Sequence, residues 1–144
     1  MSLNSDPRSR SPDQGAAAGT QAAHQHTLLL VDDEKILRQI IASILRKEGY
    51  LVMEAATSDA AIDAVRRFGQ KLDLLISDMM IPSVGGLHLL EELRKGRPEL
   101  KAVFISGCTR DEICKDAPLP EGTAFIEKPF EGDALVSTVR QVLG

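Results

Sequence analysis

The chain has 144 residues, room for one domain around a single core and too few for two. Hydrophobic residues make up 43% of it and aromatic residues only 3%, so aliphatic side chains must fill that core. A net charge of −4 with no basic run argues against a general nucleic-acid binder, and no apolar stretch approaches the ~20 residues of a membrane-spanning helix.

Residues 1–26 are rich in Ser, Ala, Gln, Gly and Pro and carry almost no large apolar side chains. Burial there cannot offset the entropy of ordering, so a disordered tail or linker is expected. Met1-Ser2-Leu3 reads as a vector-derived leader, and no secretory leader is visible. His24 and His26 sit on this polar stretch and read as solvated side chains rather than metal ligands. The folded domain is expected over 27–144. It starts with Thr27-Leu28-Leu29-Leu30-Val31, an apolar run of buried-strand length, followed at once by Asp32, Asp33 and Glu34. Ile36, Leu37, Ile40, Ile41, Ile44 and Leu45 then recur at helical spacing as one stripe that ends at Gly49. One of the acids can cap that helix, where the macrodipole favours negative charge. Three in a row exceed what a cap requires.

Leu51–Ala55 is a second short strand, and Ser58 is the expected cap of a helix that turns Ala61, Ile62 and Val65 inward and closes near Gly69. Leu72–Asp78 forms a third strand, and Met79-Met80-Ile81-Pro82 with Gly85-Gly86 marks the turn after it. A carboxylate at the end of a buried strand is costly unless something uses or neutralises it. Asp78 is therefore a cap or the reactive group of a site at the sheet's carboxyl edge. Leu87, Leu90 and Leu93 mark a third helix, stopped by Gly96 and Pro98. Lys101–Ser106 is a fourth strand ending in a hydroxyl and Gly107. From Thr109 to Pro120 the pattern weakens, and Pro118 and Pro120 limit any helix to a short piece. Cys108 and Cys114 stand at no zinc-finger spacing with a histidine and read as free thiols of a cytoplasmic protein. Thr123–Glu127 is a fifth strand that leads into Lys128-Pro129. Leu135, Val139 and Val142, with Val136 and Leu143 beside them, line the closing helix.

Alternation of strand and helix predicts an α/β fold: a five-stranded parallel sheet, doubly wound, with helices on both faces and a short or irregular fourth helix. In such sheets ligands bind outside the carboxyl ends of the strands. The residues there are Asp32, Asp33, Asp78, Ser106 and Lys128. Carboxylates gathered in one cleft cannot all stay ionised without a cation, and an oxygen-only set suits Mg²⁺. A lysine ammonium adds a point charge for a phosphoryl oxygen, and a serine hydroxyl adds a donor. Positive potential and placed donors are most of what phosphoryl transfer asks of a protein. One carboxylate must then attack phosphorus, and Asp78, on the middle strand, is best placed.

Leu29-Leu30-Val31-Asp32-Asp33-Glu34, Asp78-Met79-Met80-Ile81-Pro82 with Gly86 beyond it, Ile105-Ser106-Gly107 and Lys128-Pro129-Phe130 together resemble a response-regulator receiver domain. The match runs in order from about Thr27 to Leu143 without a large insertion. The resemblance implies a flavodoxin-like fold in which Asp78 accepts a phosphoryl group from the phosphohistidine of a histidine kinase or phosphotransfer domain. It implies Mg²⁺ held by the side chains of Asp33 and Asp78 and the backbone carbonyl of Met80, with Asp32 acting mostly through water. Lys128 would neutralise the acyl phosphate, and its bond to Pro129 would be cis. Ser106 would move toward the phosphoryl group and Phe125 turn inward as it shifts, a population shift between two states of one surface.

Gly85 stands where receivers often carry an acidic or polar residue, a departure read as neutral. The curtailed Thr109–Pro120 segment is expected to reduce or reshape the signalling face beside Phe125. Ile-Ser-Gly followed by such a segment is similar to receivers at the end of hybrid sensor kinases. The stop at Gly144 without a DNA-binding output domain agrees with that placement or with a single-domain regulator. The expected location is cytoplasmic, alone or as part of a membrane-attached kinase, with no membrane or nucleic-acid contact by this segment. The expected activity stops at weak Mg²⁺-dependent self-phosphorylation and dephosphorylation. Two alternatives keep different parts of this reading. A receiver-like binding scaffold keeps the fold without the chemistry. An aspartate-nucleophile phosphatase of the haloacid-dehalogenase kind would place its second acid two residues after the nucleophile on the first strand, whereas Asp32 is followed directly by Asp33 and the lone Asp78 lies on the third. Nucleotide binding lacks its glycine loop, since Asp32-Asp33-Glu34-Lys35 stands in that place.

Overall fold

Five short aliphatic runs form the strands, and the amphipathic segments between them form the helices. The computed structural model describes residues 25–68, 71–81, 85–109, 112 and 118–144. Its elements in order are β1 (Thr27–Val31), α1 (Lys35–Lys47), β2 (Leu51–Ala55), α2 (Ser58–Phe68), β3 (Leu74–Asp78), α3 (Gly86–Arg94), β4 (Lys101–Ser106), β5 (Thr123–Glu127) and α4 (Gly132–Leu143). Most of the expected tail and Cys114 lie outside the described residues.

All four strand pairings are parallel and the order is β2-β1-β3-β4-β5. Successive side chains of a strand point to opposite faces, so each strand feeds two cores. On one face Leu29, Val31, Leu75 and Phe104 pack with Ala61 and Val65 of α2 and Leu89, Leu90 and Leu93 of α3. On the other, Leu28, Leu30, Ile76 and Ile105 pack with Ile41 and Leu45 of α1 and Leu135 and Val139 of α4. β3 is buried at every residue, which explains its unbroken apolar character up to Asp78. Winding reverses between β1 and β3, and the crevice at that reversal is where doubly wound sheets bind ligands.

Several local expectations need correction. The α1 stripe is wider than the face the sheet covers: Ile41, Ala42 and Leu45 are buried, while Ile36 and Ile40 are 73% and 51% exposed. Thr57, not Ser58, caps α2, its Oγ1 accepting the Ala60 N–H at 3.0 Å, and Ser58 is the buried first helical residue. In α3 the inward leucines are Leu89, Leu90 and Leu93, with Leu87 37% exposed. β3 begins at Leu74, and Asp73 just before it accepts the Thr27 N–H on Oδ2 at 2.8 Å. Sheet pairing also reaches one residue into the expected tail, where the His26 carbonyl accepts the Leu51 N–H at 3.0 Å.

After β4, Thr109 and Glu112 exchange hydrogen bonds: Glu112 Oε1 accepts the Thr109 N–H at 2.9 Å and Thr109 Oγ1 accepts the Glu112 N–H at 3.2 Å. This is a capping box, and the Thr-x-x-Glu spacing announces it in the sequence. The remainder of the expected fourth helix up to residue 117 lies outside the described residues.

Candidate functional site

Because β1 and β3 are neighbours with Val31 paired to Ser77, the residues just beyond them, Asp32 and Asp78, emerge side by side. Asp32 is 1% and Asp78 8% exposed, while Asp33 faces solvent. Ligand oxygens of these three carboxylates lie within 4.8 Å of one another. Lys128 arrives from the end of β5, its N–H donating to the Ser106 carbonyl at 2.7 Å. Its Nζ donates to Asp78 Oδ2 at 2.7 Å and to Glu34 Oε1 at 2.9 Å, and stands 3.9 Å from Asp32 Oδ2.

Backbone donors fix the carboxylates. Asp78 Oδ1 accepts the Met80 N–H at 2.9 Å, and Asp32 Oδ1 accepts the Glu34 N–H at 2.8 Å. Thus Asp32 braces the turn into α1, and Glu34, the N-cap residue, makes no side-chain cap bond. Asp32 Oδ2 is buried without a hydrogen-bond partner. Burial pushes the Asp32 carboxyl above its ordinary pKa; the Glu34 N–H and Lys128 pull it back, and the Asp78 and Glu34 charges add to the rise. Burial also disfavours the Lys128 ammonium, but hydrogen bonds to Asp78 and Glu34 outweigh it and hold that pKa above the ordinary 10.5. The donor set is all oxygen, carries excess negative charge and contains an unpartnered buried carboxylate oxygen, so a hard divalent cation fits it.

Ser106 ends β4, is 1% exposed, and accepts the Cys108 N–H on its Oγ at 3.1 Å. It flanks the acidic cluster rather than joining it through a hydrogen bond. Phe125 is half-buried on β5 opposite Phe104 and packs with Leu119 against the core on the α2 and α3 side. Met80 is 73% exposed at the mouth, and the Lys128–Pro129 bond is cis. Two participants escaped sequence reasoning. Glu34 was visible only as one of three adjacent acids, and its contact with Lys128 spans 94 residues. Gly86 was legible as a turn residue but not for its reason. A Cβ there would lie 2.8 Å from the Asp78 carbonyl oxygen and 3.1 Å from Ser77 Oγ, so α3 starts hard against the strand end that carries Asp78.

A family profile described as response regulator receiver domain matches residues 28–140. The chain belongs to this receiver-domain family. Among its relatives, the sensor kinase CckA of Brucella abortus is 35% identical over 124 residues, covering 86% of this chain but 13% of the kinase. The chemotaxis protein CheY of Bacillus subtilis is 28% identical over 119 residues, covering 82% of this chain and 98% of CheY. The crystal structure of the receiver domain of the hybrid histidine kinase CckA superimposes with a TM-score of 0.69 at 32% identity, over 82% of this chain and 99% of that one. A response regulator receiver protein from Sinorhizobium medicae gives 0.73 at 28% identity, over 84% and 96%. This receiver domain therefore has the flavodoxin-like fold and the phosphoacceptor role of two-component signalling. Among its described residues no helix is long and apolar enough to cross a membrane.

Proposed function

We propose that Asp78 is the phosphoacceptor and that its donor is the phosphohistidine of a histidine kinase or phosphotransfer domain. An Asp78 carboxylate oxygen attacks phosphorus, the phosphorus–nitrogen bond breaks, and the electron pair leaves on the imidazole nitrogen. One observation carries the assignment: Asp78 is the carboxylate at the end of the middle strand held by the Lys128 ammonium at 2.7 Å. That ammonium is positioned to pass from Asp78 Oδ2 to a phosphoryl oxygen as charge moves outward.

Asp33 and Asp78, the Met80 carbonyl and, mainly through water, Asp32 would hold Mg²⁺. When bound, the ion supplies a hard positive centre for phosphoryl oxygens. The protein's own residues do the rest. The Met80 N–H orients Asp78, Lys128 neutralises the acyl phosphate, and Ser106, whose hydroxyl proton is not used by the Cys108 contact, can donate to a phosphoryl oxygen. Phe125 beside Phe104 is the surface group whose position would follow Ser106. The domain acts as a stoichiometric acceptor on the cytoplasmic side, and the likeness to CckA supports a place in a hybrid sensor kinase.

Intact-mass measurement after incubation with acetyl phosphate tests this. One phosphoryl group should appear with Mg²⁺, none with chelator, and none in Asp78→Asn. Continuous turnover of small phosphate esters would instead support a phosphatase.

A further inference from the structure

Lys128 offers three N–H donors, and in the resting domain Asp78 takes one and Glu34 another. The two carboxylates are not equivalent. Asp78 is buried and fixed by the Met80 N–H, whereas the Glu34 side chain is 61% exposed and is spent on no helix cap. Glu34 can therefore leave for water at little cost, and Asp78 cannot. For Nζ to pass from Asp78 Oδ2 outward to a phosphoryl oxygen, it must leave the place where Glu34 Oε1 also holds it at 2.9 Å.

We propose that Glu34 is a latch: its carboxylate is a built-in stand-in for a phosphoryl oxygen on Lys128 and must be expelled when Asp78 is modified. Glu34 is thus a positioning residue acting through Lys128, setting how readily the domain leaves its resting state. The inference rests on the reading of Asp78 as acceptor. Once expelled, Glu34 is repelled by the new anion and freed from the mouth of the site, so the start of α1 also reports the modification.

Trifluoroberyllate, which an aspartate oxygen binds by displacing water from beryllium, mimics the phosphoryl group without turnover. Fluorine NMR titration, with Mg²⁺ present throughout, compares the wild type, Glu34→Gln, Glu34→Asp and Asp78→Asn. Glu34→Gln should bind about two- to fivefold more tightly than the wild type, the scale of an exposed ion pair. Glu34→Asp keeps the charge but withdraws it from Nζ, so it should match Glu34→Gln. Equal affinity of Glu34→Gln and wild type would overturn the latch, and so would a Glu34→Asp variant that matches the wild type while Glu34→Gln binds more tightly, since charge alone would then explain the gain. Failure of the wild type to bind, or binding retained in Asp78→Asn, would remove the acceptor reading and the latch with it.

Discussion

Asp32 is a carboxylate 1% exposed, given one backbone N–H and a lysine 3.9 Å away, with its second oxygen left without a partner. Its raised pKa means the metal-free fold gains most from it when it is protonated, below the ordinary 3.8, and loses that contribution as pH rises through the raised value. Lys128 behaves with the same sign at the other end of the scale: its contribution is complete below 10.5 and so intact at neutral pH. Asp32→Asn should therefore stabilise the metal-free domain at neutral pH by about 1 kcal/mol, with the gain fading as the solution is acidified. Added Mg²⁺ should reverse the order, raising the wild-type melting temperature more than that of the variant. Thermal melts from acid to neutral pH, with and without Mg²⁺, check both signs. A variant less stable than the wild type without metal would show that the buried charge is already satisfied.

At the scale of elements, the β3–α3 junction sets where Asp78 points. Gly86→Ala would press a methyl group to 2.8 Å from the Asp78 backbone oxygen, which cannot rotate away, so a loss of about 1–3 kcal/mol is expected together with slower phosphorylation. Gly96→Ala meets nothing within 4 Å and should be nearly neutral. Melting curves and acetyl phosphate labelling of the pair check this, and equal behaviour would show that the junction yields. The strands were legible because each is a short, mainly apolar run, and β1, β2, β4 and β5 begin and end where that pattern places them. Helix faces were over-read: Ile36 and Ile40 fit the period of α1, yet the sheet covers only an arc around Ile41 and Leu45. The α2 cap was misplaced by one residue because Thr57 and Ser58 both suit the position and only backbone geometry chooses.

Over the whole molecule, one sheet buries two separate aliphatic cores, and the site lies where their strands end. Residues 1–24 lie outside the described part, and their sequence holds few large apolar side chains. Removing them should leave the melting temperature within a few degrees of the full chain, and a larger fall would show that they pack. The candidate site was largely legible because parallel topology turns strand-end positions, far apart in sequence, into neighbours. What topology cannot give is side-chain pairing across the mouth, which is why Glu34 went unassigned while Asp32, Asp33, Asp78 and Lys128 did not. Everything converges on where a phosphoryl group is carried. Borohydride reduces an aspartyl phosphate to homoserine, so peptide mapping after acetyl phosphate and Mg²⁺ reads the acceptor directly. Homoserine at position 78 and at no other is the predicted result, and homoserine at 32 or 33, or none in labelled protein, would contradict it.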